Sequence, residues 1–237
     1  MGSVEVAETM ARHAGPRGEV VLRRRFGVSG AEVDELIVNG AFAMDSSETF
    51  TEQQLADLAL AGPIPRHRVL VGGLGLGYTA ARVLGEDVDR LDVVEIEECL
   101  IEWAYAGVTP TLAAVAADPR TRLHAADIRS VLTGGRADPA GPWDAIILDV
   151  DNGPDFLIHG ANDALYAEPS LAAAYAQLTP GGICAVWCQG AVPELLATLR
   201  RVAPTADQHI FTRIRDGRRL DYAIYTMTRP GSPVPAR

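Results

Sequence analysis

Cysteine is scarce in this chain, and the three present do not make a disulfide framework. Cys184 and Cys188 fall four apart in "GGICAVWCQG", which reads as a strand, so both point to one face. With no histidine or further cysteine beside them they read as buried thiols, and no metal site is expected. No apolar run approaches the roughly 18 residues that span a bilayer. The N-terminal segment carries Glu5 and Glu8 and has no apolar stretch of signal-peptide kind. A cytoplasmic protein without a membrane partner is therefore expected. Basic residues are also in short supply: 21 against 31 acidic ones, for a net charge of −10. That balance argues against a nonspecific hold on nucleic acid, which needs a basic face, and suits cationic ligands.

What the chain does have is a change of pattern near residue 63. Residues 1 to about 18 show weak periodicity and read as peripheral. From Glu19 come short β runs, "EVVLRRRF", "EVDELIV" and "AFAMD", with Asn39-Gly40 as a two-residue hairpin signal. "SETFTEQQLADLALAG" reads as a helix capped by Ser46 or Ser47 and closed near Gly62-Pro63. Beyond "PIPRH" strands and helices alternate: "RVLVGG", "YTAARVLG", "RLDVVEI", "ECLIEWAYA", a Pro- and Ala-rich connection, "TRLHAAD", "WDAIILDV", "PSLAAAYAQL", "GGICAVWCQ" and "PELLATLRRV". "QHIFTRIR" and "RRLDYAIYTMT", joined at Asp216-Gly217, close the chain as an antiparallel pair. The expected fold is α/β: a Rossmann-like, doubly wound and mostly parallel sheet with a C-terminal antiparallel hairpin, plus a small N-terminal β-hairpin region. The expected division is 1–62, 63–230 and a tail at 231–237.

The residues with chemical potential fall at the ends of these strands. "VLVGGLGLGYTAARVLG" is a strand breaking into a glycine loop that opens a helix, the context of a nucleotide loop. Tyr78 stands where a dinucleotide fingerprint wants its last glycine, and no lysine follows, which excludes a P-loop. The next strand ends at Glu95, placed to take two ribose hydroxyls. Asp127, after the third strand, is either a helix cap or an acceptor for an adenine amino group, with Ile128 flanking the ring. The fourth strand runs into "LDVDNGPD", which clusters Asp149, Asp151, Asn152 and Asp155 over the same crevice. An Asx turn accounts for Asn152-Gly153 alone but not for the cluster.

The glycine loop, "VVEIEECLIEW", "DPRTRLHAADIRSVL", "WDAIILDVDNGPD", "LYAEPSLAAAYAQLTPGG" and the hairpin "ELIVNGAFAMDSSE" together resemble the polyamine aminopropyltransferases, or spermidine synthases. These share the class I methyltransferase fold. The resemblance covers about residues 19 to 230. It implies an S-adenosyl donor held by Gly72, Gly73 and Gly75 at its aminoacyl or aminopropyl end, by Glu95 at the ribose, and by Asp127 and Ile128 at the adenine. It also implies that Asp149 sits over the donor and helps deprotonate an attacking amine. Ala43 stands where that family carries a glutamine, and Phe50-Thr51 where it carries a tyrosine-histidine pair before the next glutamate. The acidic loop is shorter than the family's.

Those departures point to a spermidine-synthase-like methyltransferase that uses S-adenosylmethionine on a small-molecule acceptor, at nitrogen. The alternatives are an aminopropyltransferase using decarboxylated S-adenosylmethionine, and a noncatalytic dimeric scaffold. Asp149 and Asp151 are the candidate catalytic residues. Asp151 and Asn152 would orient the acceptor, with Asp45, Glu48 and Tyr166 as further pocket candidates; Tyr166 reads equally as a packing aromatic. His124 and His159 read as structural or exposed. The hairpin's exposed strand edges need covering, and the resemblance implies a homodimer or homotetramer.

Overall fold

The computed structural model describes residues 7–26, 30–62, 66–150, 153–154, 163–215 and 217–231. Asp151, Asn152, Asp155, His159 and Asp216 lie outside the described residues.

Four strands make an antiparallel N-terminal sheet: β1 (Ala7–Gly15), β2 (Gly18–Phe26), β3 (Glu32–Val38) and β4 (Ala41–Asp45), in that spatial order. Residues 7–15 are thus peripheral, as expected, but form a full strand at the edge of the sheet. As an edge strand, mostly exposed along its length, β1 carries little of the alternation that marks a half-buried strand. Asn39 and Gly40 turn β3 into β4 with φ of 53° and 76°, the mirror-image turn whose twist matches the strands it joins. On the way back Phe42 pairs with Ile37 and Met44 with Leu36, which leaves Ala43 as a bulge. The bulge re-aims Met44 and Asp45.

Helix α1 spans Phe50–Leu60. Neither serine caps it. The Ser47 N–H and hydroxyl both donate to Asp45, and the Ser46 hydroxyl accepts from the Asp34 N–H. The helix therefore starts later, after Thr49.

The second sheet has seven strands: β5 (Arg68–Gly72), β6 (Arg90–Glu95), β7 (Thr121–Ala125), β8 (Trp143–Leu148), β9 (Leu178–Cys188), β10 (Asp207–Arg215) and β11 (Arg218–Thr228). Their order is β10-β11-β9-β8-β5-β6-β7; β11 runs against its neighbours and the others run together. Along each inner strand the side chains alternate between two cores. Val69, Val71, Val93, Ala145 and Ile147 face one core with α1, α2 (Tyr78–Leu84), α3 (Glu98–Ala106) and α4 (Pro110–Ala117). Leu70, Val94, Ile146, Leu148, Cys184 and Cys188 face the other, with α5 (Ile128–Leu132), α6 (Asp163–Tyr166), α7 (Glu168–Ala176) and α8 (Pro193–Val202). Helices on both faces of a mostly parallel sheet make the fold Rossmann-like. The first core continues without a break into Val20, Leu22, Leu36 and Val38 of the N-terminal sheet.

The Pro- and Ala-rich connection proves to be α4. Pro110 sits at its first turn, where the missing N–H is not needed, and the Thr109 hydroxyl accepts from the Leu112 N–H. Among the described residues no single helix is long and apolar enough to cross a membrane; α3 and α4 would pass only as a pair bent by 91°.

Candidate active site

Strand order reverses at β5, which has β6 on one side and β8 on the other. In open α/β sheets the crevice forms there, outside the C-terminal ends of the strands. Backbone bonds tie those ends together: Gly73 N–H to the Val94 carbonyl at 2.8 Å, and Asp149 N–H to the Gly72 carbonyl at 2.9 Å. A cavity of about 590 Å³ opens over them, roofed by β3, β4 and the start of α1. That size suits a small-molecule site.

Of the residues singled out in the sequence, Gly73, Gly75, Glu95, Asp127, Ile128, Asp149, Asp45 and Glu48 all line this cavity. Gly73 has φ of 93°, and a Cβ there would fall 2.0 Å from the Asp149 carbonyl oxygen. Only glycine lets the loop pass this close to the end of β8. Gly72 ends β5 beneath Ile128, whose Cγ1 would lie 2.8 Å from an added Cβ.

Glu95 is buried and bridges the strand end to the loop. Its Oε2 accepts from the Leu74 N–H at 2.7 Å, and its Oε1 from the Glu97 N–H at 2.8 Å. Burial pushes its pKa up, against these backbone bonds. Each oxygen keeps a second lone pair for a further donor. Asp127 caps α5 by accepting from the Arg129 N–H at 2.8 Å, and its side chain, 39% exposed, also lines the cavity.

Asp149 accepts a hydrogen bond from the Thr79 hydroxyl at 2.6 Å, and burial raises its pKa to about 6 against that bond. Glu52, from α1, lines the same cavity and accepts from the neighbouring Thr51 hydroxyl at 2.9 Å. Its pKa is pushed up to about 7, first by burial and then by the charge of Asp149. Sequence reasoning passed over both Thr79 and Glu52. The available signal for Glu52 was its place directly after Phe50-Thr51. Phe50 itself packs edge-on against Phe211 at 5.9 Å, with Arg213 stacked over its ring.

The other carboxylates of the cavity are committed to arginines. Glu35 accepts from Arg23 and Arg25, each at 2.5 Å; Arg25 also reaches Asp45 at 3.4 Å. Glu48 pairs with Arg213 of β10 at 3.1 Å. Tyr166 does not line this cavity. It is 5% exposed in the second core, and its hydroxyl donates to the Val150 carbonyl at 2.6 Å, steadying the chain as it leaves β8. His124 bonds Asp92 at 2.9 Å, away from the site. Among the described residues no group of three or more His, Cys, Asp or Glu could hold a metal ion.

A Rossmann-like sheet that ends in an antiparallel hairpin, with an acidic crevice at its switch point under a small β roof, is the spermidine-synthase-like fold of the class I methyltransferase type. Two solved structures that share it are spermidine synthases. One, in complex with the transition state analogue AdoDATO, matches with a TM-score of 0.75 at 17% identity over 96% of this chain and 75% of that one. The spermidine synthase from Thermotoga maritima matches with a TM-score of 0.73, also at 17% identity over 96% and 75%. At that identity the likeness is one of fold. No protein-family model matches the chain, and no curated protein matches it in sequence.

Proposed function

We propose that this protein is an aminopropyltransferase, moving the aminopropyl group of decarboxylated S-adenosylmethionine to an amine. The observation that carries the reading is the charge of the cavity. Its lining holds eight carboxylates and, among the described residues, one cation, Arg25, which is already bonded to Glu35 and Asp45. A donor tail ending in an ammonium is favoured there, whereas a donor carboxylate would meet no uncommitted side-chain cation. The fold shared with the spermidine synthases supports the same choice over methyl transfer.

The residues fit such a donor. Glu95 has a lone pair on each oxygen for a ribose diol, Asp127 and Ile128 flank the place of a base, and the Gly73 approach leaves room beside Asp149. The donor's sulfonium supplies an activated carbon, so the protein's task is alignment and proton removal. Asp149 and Glu52, whose pKa values are raised to about 6 and about 7, are poised to take a proton from an ammonium near neutral pH. Asp151 and Asn152, which follow β8 in the sequence, are proposed to orient the acceptor.

Methyl transfer from S-adenosylmethionine is the second reading. Ala43 and Phe50-Thr51 favour it, standing where the aminopropyltransferases carry a glutamine and a tyrosine-histidine pair. Calorimetry with both donors, followed by product analysis with an amine mixture, decides between them. Aminopropyl transfer predicts decarboxylated donor bound at least about tenfold more tightly, with release of 5′-methylthioadenosine. Tighter binding of S-adenosylmethionine and formation of S-adenosylhomocysteine would overturn it; no binding of either donor would leave the scaffold reading. A homodimer or homotetramer in the cytoplasm is proposed with this activity.

A further inference from the structure

We propose that Arg17, in the turn between β1 and β2, is a positioning residue for the nucleoside end of the cavity: it fixes the peptide that aims Glu95 at a ribose diol. The proposal rests on the donor-binding part of the reading above and gives it a residue that does not itself line the cavity.

Arg17 makes two contacts with the chain as it leaves β6. Its Nε donates to Glu97 Oε1 at 3.0 Å, and its Nη2 donates to the Ile96 carbonyl. That carbonyl and the Glu97 N–H belong to one trans peptide, so they point in opposite directions. The N–H end donates to Glu95 Oε1 at 2.8 Å. The guanidinium thus holds one end of the 96–97 peptide and the Glu95 carboxylate holds the other. Were the plane to turn over, Glu95 would lose one of the two N–H groups that orient it and face a carbonyl oxygen instead.

Charge adds to this geometry. Glu95, Glu97 and Glu98 place three carboxylates within four residues. Glu97 is buried and lines the cavity beside Ile96, where its charge is unfavourable next to Glu95. Arg17 brings a cation to it from outside the lining. Its side chain is 43% exposed, so solvent weakens the ion pair, and the bond to the carbonyl supplies the direction that charge alone lacks.

The turn that carries Arg17 is itself held. Asn39, in the β3–β4 turn, donates from Nδ2 to the Arg17 carbonyl at 3.1 Å, and its Oδ1 accepts the Glu19 N–H at 2.9 Å. Its own N–H donates to the Glu19 carbonyl at 2.8 Å. Gly18, with φ of 115°, lets the two turns meet, since a Cβ there would fall 1.7 Å from Asn39 Oδ1. Two tips of the N-terminal sheet are locked together, and from them Arg17 reaches the end of β6.

On each Glu95 oxygen, the direction left for a ribose hydroxyl is set by the N–H already bonded there. Releasing the 96–97 peptide should therefore weaken recognition of the diol and spare the place of the base at Asp127 and Ile128.

Calorimetry of the full chain with 5′-methylthioadenosine and with its 2′,3′-dideoxy analogue tests this. The wild type is expected to bind the ribonucleoside at least about tenfold more tightly than the analogue. Arg17→Ala is expected to weaken the ribonucleoside about fivefold and leave the analogue unchanged, so the preference shrinks by that factor. If Arg17→Ala does not fold, Arg17→Met, which keeps the stem without the donors, carries the same expectation. An equal loss for both ligands, no loss for either, or a wild type indifferent to the diol would overturn the proposal and leave a nucleoside donor site standing. A wild type that binds neither compound would sink the donor reading as well.

Discussion

Thr79, in the first turn of α2, donates its hydroxyl to Asp149 at the end of β8, a 2.6 Å bond between residues 70 apart in the chain. The bond opposes the effect of burial on Asp149 and stabilises its ionised form. Thr79→Val keeps the shape and removes the donor, so Asp149 should hold its proton to higher pH. Activity at pH 6 is expected to fall about tenfold, with much less change at pH 9, where the carboxylate is ionised in both proteins. A full pH–rate profile of each checks this; a uniform loss at every pH would make Thr79 a packing residue only.

Glu52 gives a stability prediction whose sign is set by its raised pKa. A folded-state value of about 7, above the ordinary 4.5, means that the fold favours the protonated form. The stabilising contribution is complete below about pH 4.5 and is lost as pH rises through 7. Glu52→Gln has no such loss. It should melt close to the wild type near pH 4.5 and a few degrees higher at about pH 8, while losing activity. Thermal melts of both proteins across that range measure the difference; a gap that shrinks as pH rises would contradict it.

Glu95 holds two backbone N–H groups, one on each oxygen. The amide of Glu95→Gln can accept only one of them and turns its NH2 towards the other. The variant is expected to lose about 1–3 kcal/mol of stability, the cost of an unsatisfied buried donor. Donor affinity should also fall about tenfold or more, because the loop shifts and a ribose acceptor is lost. Denaturant unfolding and calorimetry measure the two effects separately, and unchanged stability would mean that the bridge does not hold the loop.

Much of the larger sheet was legible because its inner strands are buried on both faces. Val69–Val71 and Ile146–Leu148 read as continuous apolar runs, and glycine or an acidic residue marks where each ends. The same punctuation exposed Gly73, Glu95, Asp127 and Asp149. Strand β1 escaped notice because Thr9, Arg12 and His13 meet solvent, and its partner β2 supplies the order. In α4 the run of alanines hid a helix whose burial rests on Leu112 and Val115, three apart on one face. Thr79 was invisible for a different reason. It acquires its meaning from Asp149, and no local pattern records a neighbour 70 residues away. Tyr166 shows the converse, an aromatic near the acidic loop whose hydroxyl serves the backbone of Val150 rather than the cavity.

The ion pair between Glu48 and Arg213 spans 165 residues, and it bears on how the site comes into being. The glycine loop, Glu95, Asp127 and Asp149 all lie between residues 72 and 149 and are made in one stretch of synthesis. The wall that would hold the acceptor joins β4 and α1 to β9 and β11. It cannot close until the last hairpin has emerged and paired, since such distant contacts form only after their loops are closed. During synthesis, then, the half of the cavity around Glu95 can take shape before β11 exists, and a chain stopped short of β10 would keep that half while β9 lacks the strand that pairs with it.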